Sequence, residues 1–177
     1  MKIKNTSVSL AIVVLVLAGG LPLTAVADKE VKMDLRFAGA FISGALPSSI
    51  IHVTGVGSPG RVEIRGFGGM STFVGFVFGC LGSSDLLLQI DIDENPLVFR
   101  FQDLSLLFAK GGSGTICIDA LGTGLLDFEI NLMFDGGRGR FEGATGQAVI
   151  TGEAEPVSSD GSFLAETGTV VGTIILP

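Results

Sequence analysis

The chain has 177 residues, 47% hydrophobic and 16% charged, with eighteen acidic and eleven basic side chains and a net charge of −7. That apolar content excludes a disordered chain. The acidic balance, with no basic patch, excludes partners bound by phosphate neutralisation, so neither nucleic acid nor an anionic membrane surface is expected. Glycine is abundant (27), Trp and Tyr are absent and aromatic character comes from 13 Phe. Glycines this frequent argue against long helices, because each costs about 1 kcal/mol in a helix interior. An outer-membrane barrel carries interfacial girdles of Trp and Tyr, which this chain lacks.

The first element reads as a secretory signal. Lys2 and Lys4 precede an apolar run, Val8 to Ala18, and Ala25-Val26-Ala27 supplies small residues for cleavage after Ala27. The expected division is a signal peptide at 1–27 and one domain at 28–177. No stable membrane span is expected after cleavage and the destination is the periplasm or the exterior, with an uncleaved N-terminal anchor helix as the alternative. Loss of Lys2 and Lys4 leaves nine basic against eighteen acidic residues, a net of −9.

From there short apolar runs alternate with turn clusters. Val31 to Phe37 alternates strictly, and Ser49 to Val56 follows. The turn Gly57-Ser58-Pro59-Gly60 leads into Arg61 to Phe67. Thr72 to Cys80 is apolar on both faces, which predicts a strand covered on both sides. Asp85 to Asp93 is next, then Leu97 to Phe108 as one long strand with a bulge near Asp103. Lys110 to Gly114 reads as a tight turn, Thr115 to Asp119 as a short strand and Leu121 to Gly124 as a turn. Leu126 to Phe134 is the clearest strand, with Phe128, Ile130, Leu132 and Phe134 on one face. Gln147 to Glu155 and Ser162 to Leu176 complete the set, with a turn at Ser158 to Gly161.

The pattern predicts an all-β domain with antiparallel neighbours, because the connections are too short for crossover helices. A long apolar last strand would be an aggregation hazard as an open edge, which favours closure into a barrel over a sandwich. The expectation is a closed antiparallel barrel built from about eight to ten short strands. Cys80 and Cys117 form an even pair in an oxidising compartment and are a disulfide candidate, with two unpaired buried thiols as the alternative.

The most specific stretch is Gly136-Gly137-Arg138-Gly139-Arg140-Phe141-Glu142-Gly143-Ala144-Thr145-Gly146-Gln147. Gly136, Gly137 and Gly139 permit a turn with positive φ, Phe141 anchors it, and Gly143 and Gly146 let the next strand bend or approach another backbone closely. This string resembles the corresponding segment of the allene oxide cyclase and dirigent superfamily, exported bacterial members included. The resemblance covers roughly Gly112 to Leu176. It implies a closed antiparallel β-barrel of about eight strands, calycin-like in shape and often trimeric, so a homo-oligomer is expected on that ground. Plant cyclases place carboxylate and polar residues in an apolar barrel, largely from the N-terminal half, and no catalytic residue carries over to this chain.

Candidate chemistry is sparse. His52 is the only histidine, and a lone imidazole builds no His-rich metal site. Asp91-Ile92-Asp93-Glu94-Asn95 begins like a calcium loop, but Pro96 stands where the sharp-turn glycine belongs and Gln102 where the bidentate Glu belongs. Gly66-Phe67-Gly68-Gly69 and Gly111-Gly112-Ser113-Gly114 read as hairpin turns rather than phosphate cradles, since no helix follows. No G-x-S-x-G elbow occurs. No cofactor and no metal are expected. The leading reading is a non-catalytic binding or scaffold barrel for a small hydrophobic ligand. One alternative is a cyclase- or isomerase-like enzyme guiding a hydrophobic substrate, with Asp127, Glu129 and Glu142 as the carboxylates to inspect. A second is a surface or assembly protein.

Overall fold

The computed structural model describes residues 28–42, 50–67, 71–93 and 96–177; the expected signal peptide lies outside them. Ten strands follow in order: β1 (Lys29–Ile42), β2 (Ile50–Ser58), β3 (Val62–Phe67), β4 (Ser71–Phe78), β5 (Leu86–Ile92), β6 (Leu97–Phe101), β7 (Leu106–Ile118), β8 (Leu126–Arg138), β9 (Thr145–Pro156) and β10 (Phe163–Leu176). All pairings are antiparallel. Eight strands close a barrel in the order β1-β2-β3-β6-β7-β8-β9-β10, with β10 returning to β1 and β7 sealing to β8.

β3–β4 and β5–β6 form two interrupted lines of one long ribbon. In one half of the barrel β3 lies beside β2 and β6 beside β7. In the other half β5 takes over the same edge of β7, pairing Leu88–Ile92 with Ile118–Gly114. Among the described residues β2 begins at the Ile50–Phe67 pair, and β4 is bound through β5 alone. The β4–β5 hairpin extends the wall beyond the described part of β2.

Cys80, just after β4, is disulfide-bonded to Cys117 of β7, with Cα atoms 5.9 Å apart. The bridge sits on the outer face with Leu87 and Val77, in a small cluster separate from the main core. It pins the hairpin to the barrel wall.

Three expectations need correction. Leu97 to Phe108 is not one bulged strand. It is the hairpin β6–β7, turned at Gln102–Ser105 with Leu104 at φ 66°, the Asp103 carboxylate accepting from Ser105 N, and Phe101 N donating to the Ser105 carbonyl. Lys110 to Gly114 is not a turn, and Gly111–Gly114 is not a hairpin loop. Both lie inside β7, which shifts register against β8 between Lys110 and Ser113. Gly114 is needed there because a Cβ would strike the Glu129 carbonyl and approach Ile130 Cα to 2.8 Å. Thr72 to Cys80 is not covered on both sides: Phe73, Phe76 and Phe78 on β4 are exposed. The turn at Gly66–Gly69 lies partly outside the described residues.

The glycine string connects β8 to β9 across adjacent antiparallel strands. Gly136, Gly139, Gly143 and Gly146 all have positive φ. They fold the connection back so that Phe141, 1% exposed, enters the barrel end. Its ring lies 4.7 Å from that of Phe101, and the Arg140 guanidinium stacks over both at 4.8 and 4.7 Å. Arg140 also pairs with Asp103 at 3.3 Å and donates to the Pro59 carbonyl. Together with Phe99 edge-on to Phe134, Met33, Leu35 and Ile174, this half of the interior is solidly packed.

Phe141→Ala should therefore destabilise the fold by about 3–5 kcal/mol, the usual cost of removing a buried Phe, read as a fall in the denaturant midpoint at unchanged m-value. Replacing Cys80 and Cys117 together by Ser should cost about 3–4 kcal/mol, since the bridge closes a loop spanning a sequence separation of 37. Reductant should destabilise the native protein by a similar amount and leave the double variant unaffected.

Candidate ligand-binding cavity

The other half of the barrel is not filled. A cavity of about 340 Å³ lies there, within the range of small-molecule sites. It is walled by inward residues of the barrel strands, among them Phe37 and Phe41 of β1, Ile116 of β7, Phe128 of β8 and Leu164 of β10. Ile90 and Ile92 of β5 complete the wall where the disulfide-pinned hairpin replaces β6. Gly124 and Pro156 place the β7–β8 and β9–β10 connections at this end.

The space has a sequence cause. Gly152 of β9 and Gly168 of β10 face each other across the ladder. A Cβ on Gly152 would lie 2.6 Å from Phe128 Cζ, and one on Gly168 2.7 Å from Phe37 Cζ. The two rings, 6.5 Å apart, thus lie against bare backbone. They line the lumen from its wall side, which side chains at 152 and 168 would push inward.

Among the described residues one ionisable side chain enters this apolar space. Glu166 of β10 shares the inward face with Leu164 and Val170, is 7% exposed, and lines the cavity. Its Oε1 is buried with no hydrogen-bond partner. Its ladder neighbours are Gly39 of β1 and Ala154 of β9, neither of which brings a polar side chain. Burial away from water raises its carboxyl from the usual 4.5 to about 7.

The carboxylates singled out from the sequence stand elsewhere. Asp127 and Glu129 alternate with inward Phe128 and Ile130 on β8, and neither lines the cavity. Glu142 is exposed in the β8–β9 connection. Glu166 was the residue to find. The signal was present in the period-two run Leu164, Glu166, Gly168, Val170, where it is the one charge among apolar and glycine positions.

Other polar groups are engaged outside the cavity. His52 is exposed and pairs with Glu63 at 2.8 Å, in an outer-face cluster with Arg65 at 2.6 Å and Arg100 at 3.6 Å. Hydrogen bonding from Arg65, then from His52, holds the Glu63 carboxyl below its ordinary value. Asp91 accepts from Gln89 and Thr115, and no cluster of metal-ligating side chains occurs among the described residues. The turns at this end are ordered by their own aspartates. Asp119 accepts from the Thr123 amide and hydroxyl, and Asp160 accepts from the Ser162 amide and hydroxyl. Hydrogen bonds from Ser158 and Ser162 hold Asp160 near 2.

No family model, no curated protein and no solved structure matches this chain.

Glu166 binds its proton more tightly in the folded state than in the unfolded chain. Its contribution is therefore most favourable below pH 4.5 and is lost as pH rises to about 7, by roughly 3 kcal/mol in all. Glu166→Gln should match the native protein near pH 4 and exceed it in stability by up to that amount at pH 8, as measured by denaturant melts across this range.

Proposed function

We propose that this protein is an exported barrel that binds a small hydrophobic ligand in its half-open interior. The observation that supports this reading is the contrast between the two halves of one closed barrel. Phe99, Phe101, Phe134 and Phe141 fill one half, while the other holds about 340 Å³ behind an apolar wall. A barrel serving only as a scaffold gains stability by filling such a space, because a cavity costs dispersion contacts and transfer free energy. Export is supported by the Lys2, Lys4 and Val8–Ala18 pattern and by the Cys80–Cys117 bridge, which suits an oxidising compartment. The eight-stranded antiparallel closure and the position of the Gly136–Gln147 connection are compatible with an allene oxide cyclase or dirigent-like ancestry. Fold similarity of that kind does not carry a reaction. A cyclase or isomerase reading would have to use Glu166, since no other carboxyl lines the cavity among the described residues.

An environment-sensitive apolar dye should bind the processed protein at a single saturable site. Ala154 is 3% exposed and faces the cavity beside Glu166. Ala154→Phe should fill the space and abolish dye binding while leaving the β-sheet circular dichroism unchanged. Failure of the native protein to bind any apolar probe would leave a packed scaffold as the better reading.

A further inference from the structure

Building on that reading, we infer that the occupant is an apolar amine, its aliphatic part in the cavity and its ammonium group paired with the Glu166 carboxylate. The cavity is lined almost wholly by carbon, yet the protein places in it one acid whose Oε1 has no partner. A buried carboxyl with no donor is costly in either protonation state. The missing group is a donor, and none of the lining side chains among the described residues is a cation. Asp34 and Arg36 of β1 and Glu153 and Glu155 of β9, the charged groups nearest along the adjoining strands, are all exposed. The strands across the lumen contribute apolar side chains such as Ile64, Leu97 and Ile116, and Ser71 of β4, which also lines the cavity, makes no hydrogen bond to Glu166.

Three ligand chemistries could meet this acid, and they are not equivalent. An apolar carboxylate would bring a second negative charge beside the first and is disfavoured. An alcohol or ketone would make one neutral hydrogen bond to the protonated acid, a net gain of about 1 kcal/mol. An ammonium group makes a charge-assisted bond roughly twice as strong. It also lets Glu166 ionise with its charge compensated. The chain's net charge of −7 further draws cations toward it and repels anions. Formation of the pair from the protonated acid releases that proton to solvent, so binding of the amine is coupled to pH.

The test compares decylamine with decanol, which share chain length and differ in the head group, by calorimetry on the processed protein below their aggregation concentrations. Decylamine stays protonated throughout, with a pKa near 10. Its affinity should rise by up to about 100-fold from pH 5 to pH 8, with a tenfold change for each pH unit below the titration of the free carboxyl. Decanol should bind more weakly than decylamine at pH 8 and should not gain affinity as pH rises. Glu166→Gln should bind decylamine more weakly than decanol, because the ammonium loses its counter-charge, and should bind both without pH dependence. In the native protein, titrations in buffers of different ionisation enthalpy should show roughly half a proton released per amine bound near pH 7. That measurement needs no variant. Decanol binding as tightly as decylamine at pH 8, no proton release, or a pH dependence that persists in Glu166→Gln would overturn the amine assignment. With the apolar dye still bound, the cavity reading would stand; loss of dye binding as well would end both.

Discussion

The seal between β7 and β8 governs the rest of the molecule. β7 is paired on one edge by β8 and on the other by β6 and then β5, so both of its edges are used along most of its length. Once this strand is paired on both sides, every other barrel strand has two neighbours as well and the sheet has a single inward face. Closure removes the exposed backbone that an open sheet would present. It also creates an interior whose volume is set by strand number rather than by side-chain demand. The side chains then decide which parts of that interior are solid. Four Phe residues, with Met33 and Leu35, suffice for one half. In the other, three Phe rings, those of Phe37 and Phe128 drawn back against the wall, leave isoleucine, leucine, alanine and glycine positions that do not fill it.

Glycine has two distinct uses in this barrel. In the β8–β9 connection it supplies backbone conformations that other residues avoid, and these bring Phe141 over the barrel end with Arg140 stacked on it. In the walls it supplies absence of volume. The Gly152–Gly168 pair lets two phenylalanine rings lie close to the sheet, so that rings large enough to block the lumen border it instead. The disulfide has a similar double effect. It closes a chain loop, and it fixes the hairpin whose Ile90 and Ile92 form part of the cavity wall. Stability and the shape of the site are therefore coupled through the same covalent bond.

How much of this was legible follows from the range of each signal. The Leu126–Phe134 alternation, the turn at Ser158–Gly161 and the strand class of the domain are local, and they read directly from spacing. The split of Leu97–Phe108 was hidden because Asp103-Leu104 holds no glycine, although Leu104 adopts a left-handed conformation that glycine usually takes. The continuity of β7 through Gly111–Gly114 was hidden for the converse reason, since glycines that resemble a turn here answer to close approach by β8. The double-sided apolarity of β4 suggested burial, but among the described residues β4 is paired through β5 alone and its Phe73, Phe76 and Phe78 are exposed. Each of these is a question of which strand lies alongside, and composition within a segment does not encode that.

Glu166 is the sharpest case, because its position was readable and its meaning was not. Strict alternation on β10 turns it inward, yet an acid on an inward face contradicts the rule that selects such faces as apolar. Tertiary context removes the contradiction only in part. The neighbouring strands present glycine and alanine, which leaves room around the carboxyl without supplying a donor. A residue of similar shape without the charge, such as Gln, would relieve the penalty of ionisation above neutral pH. Places where a sequence departs from what stability alone would select tend to be places where something else is selected. In this barrel the departure coincides with the hollow half of the core bordered by Phe37 and Phe128. Two independent costs, an empty volume and an unpaired acid, fall at one location, and a single occupant with an apolar body and a cationic end would remove both.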